Sequence, residues 1–190
     1  MKLKSRFLGI DDGPFRFGQE EVSVVGVVVQ APAYVEAVLT TRARVDGDDA
    51  TDRIAAMVQR SRYLDGLEMI LVDGTAVGGF NVVDIDALSK AAGVPVVTVT
   101  RRKPNFEAIE KALRRKFEDW QGRWDLIRRH GIEAVATRHS PVYATYVGAS
   151  RAEVVEALAL TTVRGALPEP LRLAHLVAAG IVRGESRGRA

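Results

Sequence analysis

Three short motifs each place an acid where a divalent cation can be held: Gly9-Ile-Asp-Asp-Gly-Pro-Phe15, Asp49-Ala-Thr-Asp52 and Leu71-Val-Asp-Gly74. The first and third end apolar runs, Phe7 to Ile10 and Met69 to Val72, that read as buried strands; the second lies where a helical pattern begins. An acid just past the carboxyl end of a strand sits in the crevice where open α/β sheets bind ligands. Converging carboxylates with no cysteine or histidine among them suit a hard cation that keeps several waters, Mg²⁺ or Mn²⁺. Asp11, Asp52 and Asp73 are the expected metal ligands.

Other polar residues have plainer readings. Asp12, followed by Gly13 and Pro14, has the chemistry of a turn. Asp46-Gly-Asp-Asp49 begins like a calcium loop, but the twelfth position from Asp46 is Met57 rather than Glu, so a turn suffices. Asp84 and Asp86 are placed to cap a helix. His130 precedes Gly131 and reads as a helix-end residue, and His175 as an ordinary residue of the last helix. His139 ends a strand in a region that can reach the acids. Trp120 and Trp124, at i and i+4, share one helix face and are expected in a core or helix interface.

The chain has 190 residues, enough for one sizeable core, and no cysteine. Zinc–thiolate sites, redox motifs and cysteine nucleophiles are therefore excluded. No apolar run reaches a membrane-spanning length, and Met1-Lys-Leu-Lys4 leads straight into a strand-like segment, so a cytoplasmic protein is expected. Basic residues exceed acidic by 27 to 24, a net +3 that alone says little. Their placement says more: Arg101-Arg-Lys103, Arg114-Arg-Lys116, Arg123, Arg128-Arg129 and Arg138 crowd the middle, while Asp46, Asp48, Asp49, Asp52, Asp84 and Asp86 come earlier. An acidic pocket beside a basic field suits a metal site acting on a polyanion, hence a nucleic-acid partner and no membrane.

The elements that must position these residues follow from periodicity. Glu21–Gln30 is a β-branched strand, and Tyr34–Val45 alternates, so with the first strand they make an antiparallel meander. A helix from Thr51, a strand over Met69–Val72, a helix over Asp86–Ala92 and a strand over Val96–Thr100 then imply parallel pairing. Asn105–His130 reads as one long helical stretch, followed by short strands Ala134–Thr137 and Tyr143–Val147. Ser150 with Glu153 gives a capping box for a helix to about Thr161, and a last helix follows Pro168-Glu-Pro170. One domain over residues 1–183 is expected, with residues 184–190 a disordered basic tail.

The order of these motifs resembles the endonuclease V family. That family's ribonuclease-H-like fold carries a first-strand Asp, a helix-opening Glu and a strand ending Val-Asp-Gly. Gly9-Ile-Asp11 matches the first, Asp52 stands in for the Glu, and Leu71-Val-Asp-Gly74 matches the third; Leu167-Pro-Glu-Pro170 is similar to a segment before the family's last helix. The resemblance points to the archaeal branch associated with the name endonuclease dU. It implies an α/β ribonuclease-H-like mixed sheet, an antiparallel meander followed by parallel strands and flanked by helices. It also implies metal-dependent nicking of DNA near a deaminated base, with Asp11 and Asp73 holding Mg²⁺ (or Mn²⁺) and Asp52 holding a second ion or orienting water. Gly78, Gly79, Phe80 and Asn81 are then candidates for a base-reading loop, and Arg101 and Lys103 for phosphate contacts. The chain differs from endonuclease V in having Thr75-Ala-Val-Gly-Gly-Phe-Asn81 instead of a His-rich loop and Val147-Gly-Ala149 where a His is expected; it also lacks the aromatic wedge before the second acid. A nucleic-acid-binding protein that kept the fold and lost the chemistry is the rival reading. A sugar-kinase-like Asp-x-Gly loop needs two lobes, and no Walker lysine loop exists.

Overall fold

The computed structural model describes residues 1, 4–16 and 18–186. The sheet is built around β1 (Arg6–Asp12), which pairs antiparallel with β2 (Glu21–Gln30) and parallel with β4 (Leu67–Asp73). β3 (Tyr34–Arg44) completes the meander outside β2, and β7 (Val96–Thr100) extends the parallel half beyond β4. β9 (Val142–Val147) and β8 (Glu133–Val135) add an antiparallel edge, giving the order β3-β2-β1-β4-β7-β9-β8. β5 (Ala76–Val77) and β6 (Asn81–Val82) form a separate two-stranded hairpin. This is the mixed α/β sheet expected from the motif order, and it resembles ribonuclease-H-like folds.

Strand periodicity decides which helices see which side chains. Leu8 and Ile10 of β1 and Ile70 and Val72 of β4 join one core with α1 (Ala50–Gln59) and α2 (Ile85–Ala92). Their alternates, Phe7 with Met69 and Leu71, face a second core with α5 (Arg151–Thr161) and the start of α6 (Glu169–Arg183). Successive strand residues point to opposite faces, so Asp11 and Asp73 belong to the α6 side and Asp12 to the α1 side. With both faces covered, β1 and β4 are apolar without alternation, which is why the sequence shows them as continuous runs.

α6 lies directly on β1. A Cβ on Gly9 would stand 2.1 Å from the Pro170 carbonyl carbon, so glycine is required for this approach. Pro170 is tolerated because it falls in the first turn of the helix, and Leu171, Ala174 and Ala178 form the buried stripe. The capping box at Ser150 and Glu153 is present, and Asp84 caps α2 through the amides of Asp86 and Ala87.

The long helix expected over Asn105–His130 is instead two, α3 (Phe106–Lys116) and α4 (Trp120–Arg128), with Phe117 extended between them. The reason is geometric. Leu113 and Ile127 both pack on Val82, whereas on a straight helix fourteen residues would separate them by about 21 Å. The turn also lets Phe117 meet Phe80 edge to face at 5.8 Å, with Trp120 and Trp124 in the same cluster, as their spacing suggested. Gly184 closes α6 in the left-handed region at φ 77°; of the expected tail, residues 187–190 lie outside the described residues. No described helix is long and apolar enough to cross a membrane.

Candidate metal centre

β1 and β4 run parallel with Ile10 level with Val72, which brings the next residues, Asp11 and Asp73, side by side at the carboxyl edge of the sheet. α6, entering over Gly9, carries His175 to the same point. One ligand atom from each of Asp11, Asp73 and His175 lies within 4.8 Å of the others. Ligands of a single Mg²⁺-like ion at about 2.1 Å stand up to about 4.2 Å apart, so the cluster needs only a small contraction to hold one cation.

The electrostatics of the cluster suit a cation. Asp11 is 6% exposed. Burial, then the charges of Asp73 and Asp12, push its carboxyl up to about 8, against the opposing pull of the Asp12 amide and Arg101. Its Oδ1 accepts the Asp12 N–H at 2.8 Å, and its Oδ2 lies 2.8 Å from His175 Nδ1. Burial likewise raises Asp73, with Arg101 and His175 opposing. Two carboxylates that resist ionisation in the protein alone gain most from a divalent ion that replaces the proton.

Asp12 points the other way. Burial raises it too, but its Oδ2 accepts the Gly78 N–H at 3.0 Å, tying the β5–β6 hairpin to the strand that bears Asp11. The simple turn reading is therefore incomplete.

Among the expected site residues, the structure brings Asp11 and Asp73 together and leaves Asp52 apart. Asp52 sits on the exposed first turn of α1, the helix on the other face of the sheet, and lines a cleft with Asp48, Asp84 and Asp119. His175 takes its place, a residue the sequence reading treated as an ordinary helix position. A signal existed: His175 follows Ala174 and stands one turn beyond Leu171, a polar group beside a stripe of small and apolar residues on the helix introduced by Leu167-Pro-Glu-Pro170. His139 is exposed and outside the cluster.

The expected reading loop is partly committed elsewhere. Gly78 and Gly79, at φ 56° and 89°, make the hairpin tip, a left-handed backbone that favours glycine. Phe80 packs on Phe117, and its N–H donates to Asp46 Oδ1 at 3.0 Å. Asn81 is fully buried: its amide donates to the Arg44 carbonyl (2.9 Å) and Asp49 Oδ1 (2.8 Å), and its Oδ1 accepts the Ala50 N–H (2.9 Å). No edge of it remains for a base. Arg101 stands on the wall of the cavity of about 430 Å³ that holds Asp11, Asp73 and His175, whereas Lys103 is exposed and not on that wall.

The profile of the endonuclease dU family matches residues 4–182. The chain belongs to that family. A family relative from Methanothermobacter thermautotrophicus is 46% identical over 192 residues, covering all of this chain and 94% of its own. A crystal structure of a protein of unknown function from Archaeoglobus fulgidus superposes with a TM-score of 0.85 at 37% identity, covering 95% of this chain and all of its own. The catalytic domain of human endonuclease V (TM-score 0.61, 18% identity, 95% of this chain and 83% of that one) shares the fold. So does Ciona intestinalis endonuclease V, solved with DNA containing an inosine (TM-score 0.58, 14% identity, 90% and 82% covered). The chain thus shares the fold of endonuclease V, and its carboxylate pair lies at the carboxyl edge of the central strands.

Proposed function

We propose that this protein is a metal-dependent endonuclease that nicks DNA at or near a deaminated base, uracil or hypoxanthine. The observation that carries the reading is the convergence of Asp11, Asp73 and His175 within 4.8 Å beside Arg101, in a chain of the endonuclease dU family. Asp11, Asp73 and His175 hold the ion, and the imidazole among the donors favours Mn²⁺ over Mg²⁺ in affinity. A bound ion supplies Lewis-acid stabilisation of charge developing on the scissile phosphoryl group, which makes a protein nucleophile unnecessary. Asp11 gives up its proton as the site fills, so ligation is strongest in mildly alkaline solution. Arg101, across the cavity, is placed to pair with a phosphate oxygen. Deaminated bases leave the duplex at least cost because their pairs are weakened, and that cost difference helps select the lesion.

The test is cleavage of end-labelled duplexes carrying one uracil, one hypoxanthine or no lesion, with Mg²⁺ or Mn²⁺ against EDTA, by wild type and Asp73→Ala. Metal-dependent nicking beside one lesion that vanishes in Asp73→Ala is the expected result. Tight binding with no cut under any metal would overturn it in favour of a nucleic-acid-binding protein on the same fold.

A further inference from the structure

The cavity at the metal centre does not end there. It shares Pro14, Phe15 and Arg183 with an adjoining cleft of about 710 Å³, formed by the segment after β1 and the last turn of α6 and lined further by Arg16, Gln19 and Val182. That volume is in the range of small-ligand sites. Among the described residues two arginines and no carboxylate line it, a charge balance that suits an anion. Phe15 and Val182, 38% and 44% exposed, give the cleft apolar surface on which a flat ring can lie. A nucleotide, a flat ring carrying a phosphate, fits that pairing of apolar and cationic surface.

The wall carrying Phe15 is held. The Gly13 N–H donates to the Ser23 carbonyl at 2.8 Å, Pro14 fixes the next backbone angle, and a Cβ on Gly13 would meet Val182 Cγ2 at 2.8 Å. Phe15 comes two residues after this anchored glycine and lines both the metal-centre cavity and the adjoining cleft. The hairpin tip at Gly79 cannot do this job alone, because Phe80 and Asn81 are spent on Phe117, Arg44 and Asp49.

We infer that this cleft seats one extrahelical nucleotide of the DNA strand to be cut, its base stacked on Phe15 and its phosphate between Arg16 and Arg183. The inference rests on the endonuclease reading for its substrate class but not for its test. Cation-free binding isolates it: in EDTA, a duplex with one unpaired 2-aminopurine is titrated with wild type, Phe15→Ala, Phe15→Tyr and Arg183→Gln. Stacking on an aromatic ring quenches the probe, and its loss weakens binding by about 5- to 100-fold. Phe15→Ala should lose the quench and that affinity, Phe15→Tyr should keep both, and Arg183→Gln should weaken binding and flatten its salt dependence. Binding of a fully paired duplex should change little in any of them. An undiminished quench in Phe15→Ala, or no quench by wild type, overturns the inference even if metal-dependent nicking is intact. Phe15-dependent quenching with no nicking under any metal would keep the cleft and remove the endonuclease reading.

Discussion

Two groups of acids lie within one small domain's reach of each other and behave oppositely. In the turn between β3 and α1, Asp49 feels burial, but the Arg44 N–H (3.0 Å), Asn81 (2.8 Å) and Arg53 (3.1 Å) outweigh it and hold its carboxyl below the usual range. Asp86 is lowered by His130, 2.7 Å away, and by Arg129, and Asp119 by Arg123. At the edge of β1 and β4 the reverse holds: Asp11 is buried and Asp73 half-buried, both with few donors, and both are raised. An acid saturated with donors is finished as a structural part. An acid left short of them has more to gain from a cation.

The saturated group should fail first as structure. Asn81→Ala removes three hydrogen bonds and leaves the buried Ala50 N–H without its partner, while the Arg44 carbonyl keeps the Gly47 N–H at 3.2 Å. An orphaned buried donor costs about 1–3 kcal/mol, and that is the expected loss. Urea unfolding followed by the fluorescence of Trp120 and Trp124 measures it; a midpoint shift worth under 1 kcal/mol would erase the contrast between the two groups.

The donor-poor group should fail as a binding site. His175→Ala is expected to cut Mn²⁺ affinity by about 10- to 100-fold with little loss of stability, read by calorimetric titration. Equal affinity in the variant would return the ligand set to the carboxylates alone.

Titration sharpens the same contrast. The folded-state pKa of Asp11, about 8, lies above its ordinary value near 3.8, so its contribution favours folding at low pH and is lost as pH rises through 8. Between pH 5 and 8 the ion-free protein should lose stability at up to about 1.4 kcal/mol per pH unit. Thermal unfolding in EDTA should show this slope, saturating Mn²⁺ should flatten it, and Asp11→Asn should remove it. A stability that climbs with pH would mean that Asp11 is already paired.

What the sequence disclosed divides along the same line. Strands with both faces buried announce themselves as apolar runs, so Phe7–Ile10 and Met69–Val72 put Asp11 and Asp73 at their ends before any coordinates. The capping box at Ser150 is equally local. His175 depends on α6 crossing β1 over Gly9, a packing fact whose local traces are a small residue in a strand and a polar residue beside the apolar stripe of α6. The break at Phe117 depends on Val82, thirty-five positions away, and the fate of Asn81 on a turn thirty positions earlier. Spacing placed Asp52 at the start of a helix correctly, but whether that helix lies on the side of the sheet that Asp11 faces is set by strand parity and crossover, not by the acid's position in the chain.

Asp52 therefore marks the smallest expected effect. It belongs to α1, which packs on the face of Leu8 and Ile10, while Asp11 and Asp73 face α6, and its cleft holds three other acids and Arg123 rather than the cluster. Asp52→Ala should leave Mn²⁺ affinity and lesion nicking within about twofold of wild type, the scale of an ordinary surface substitution. Parallel metal titration and single-turnover cleavage measure it. A drop of a hundredfold in cleavage with unchanged metal affinity would mean that DNA draws α1 toward the cluster, and the two faces of the sheet would then have to be read as one site.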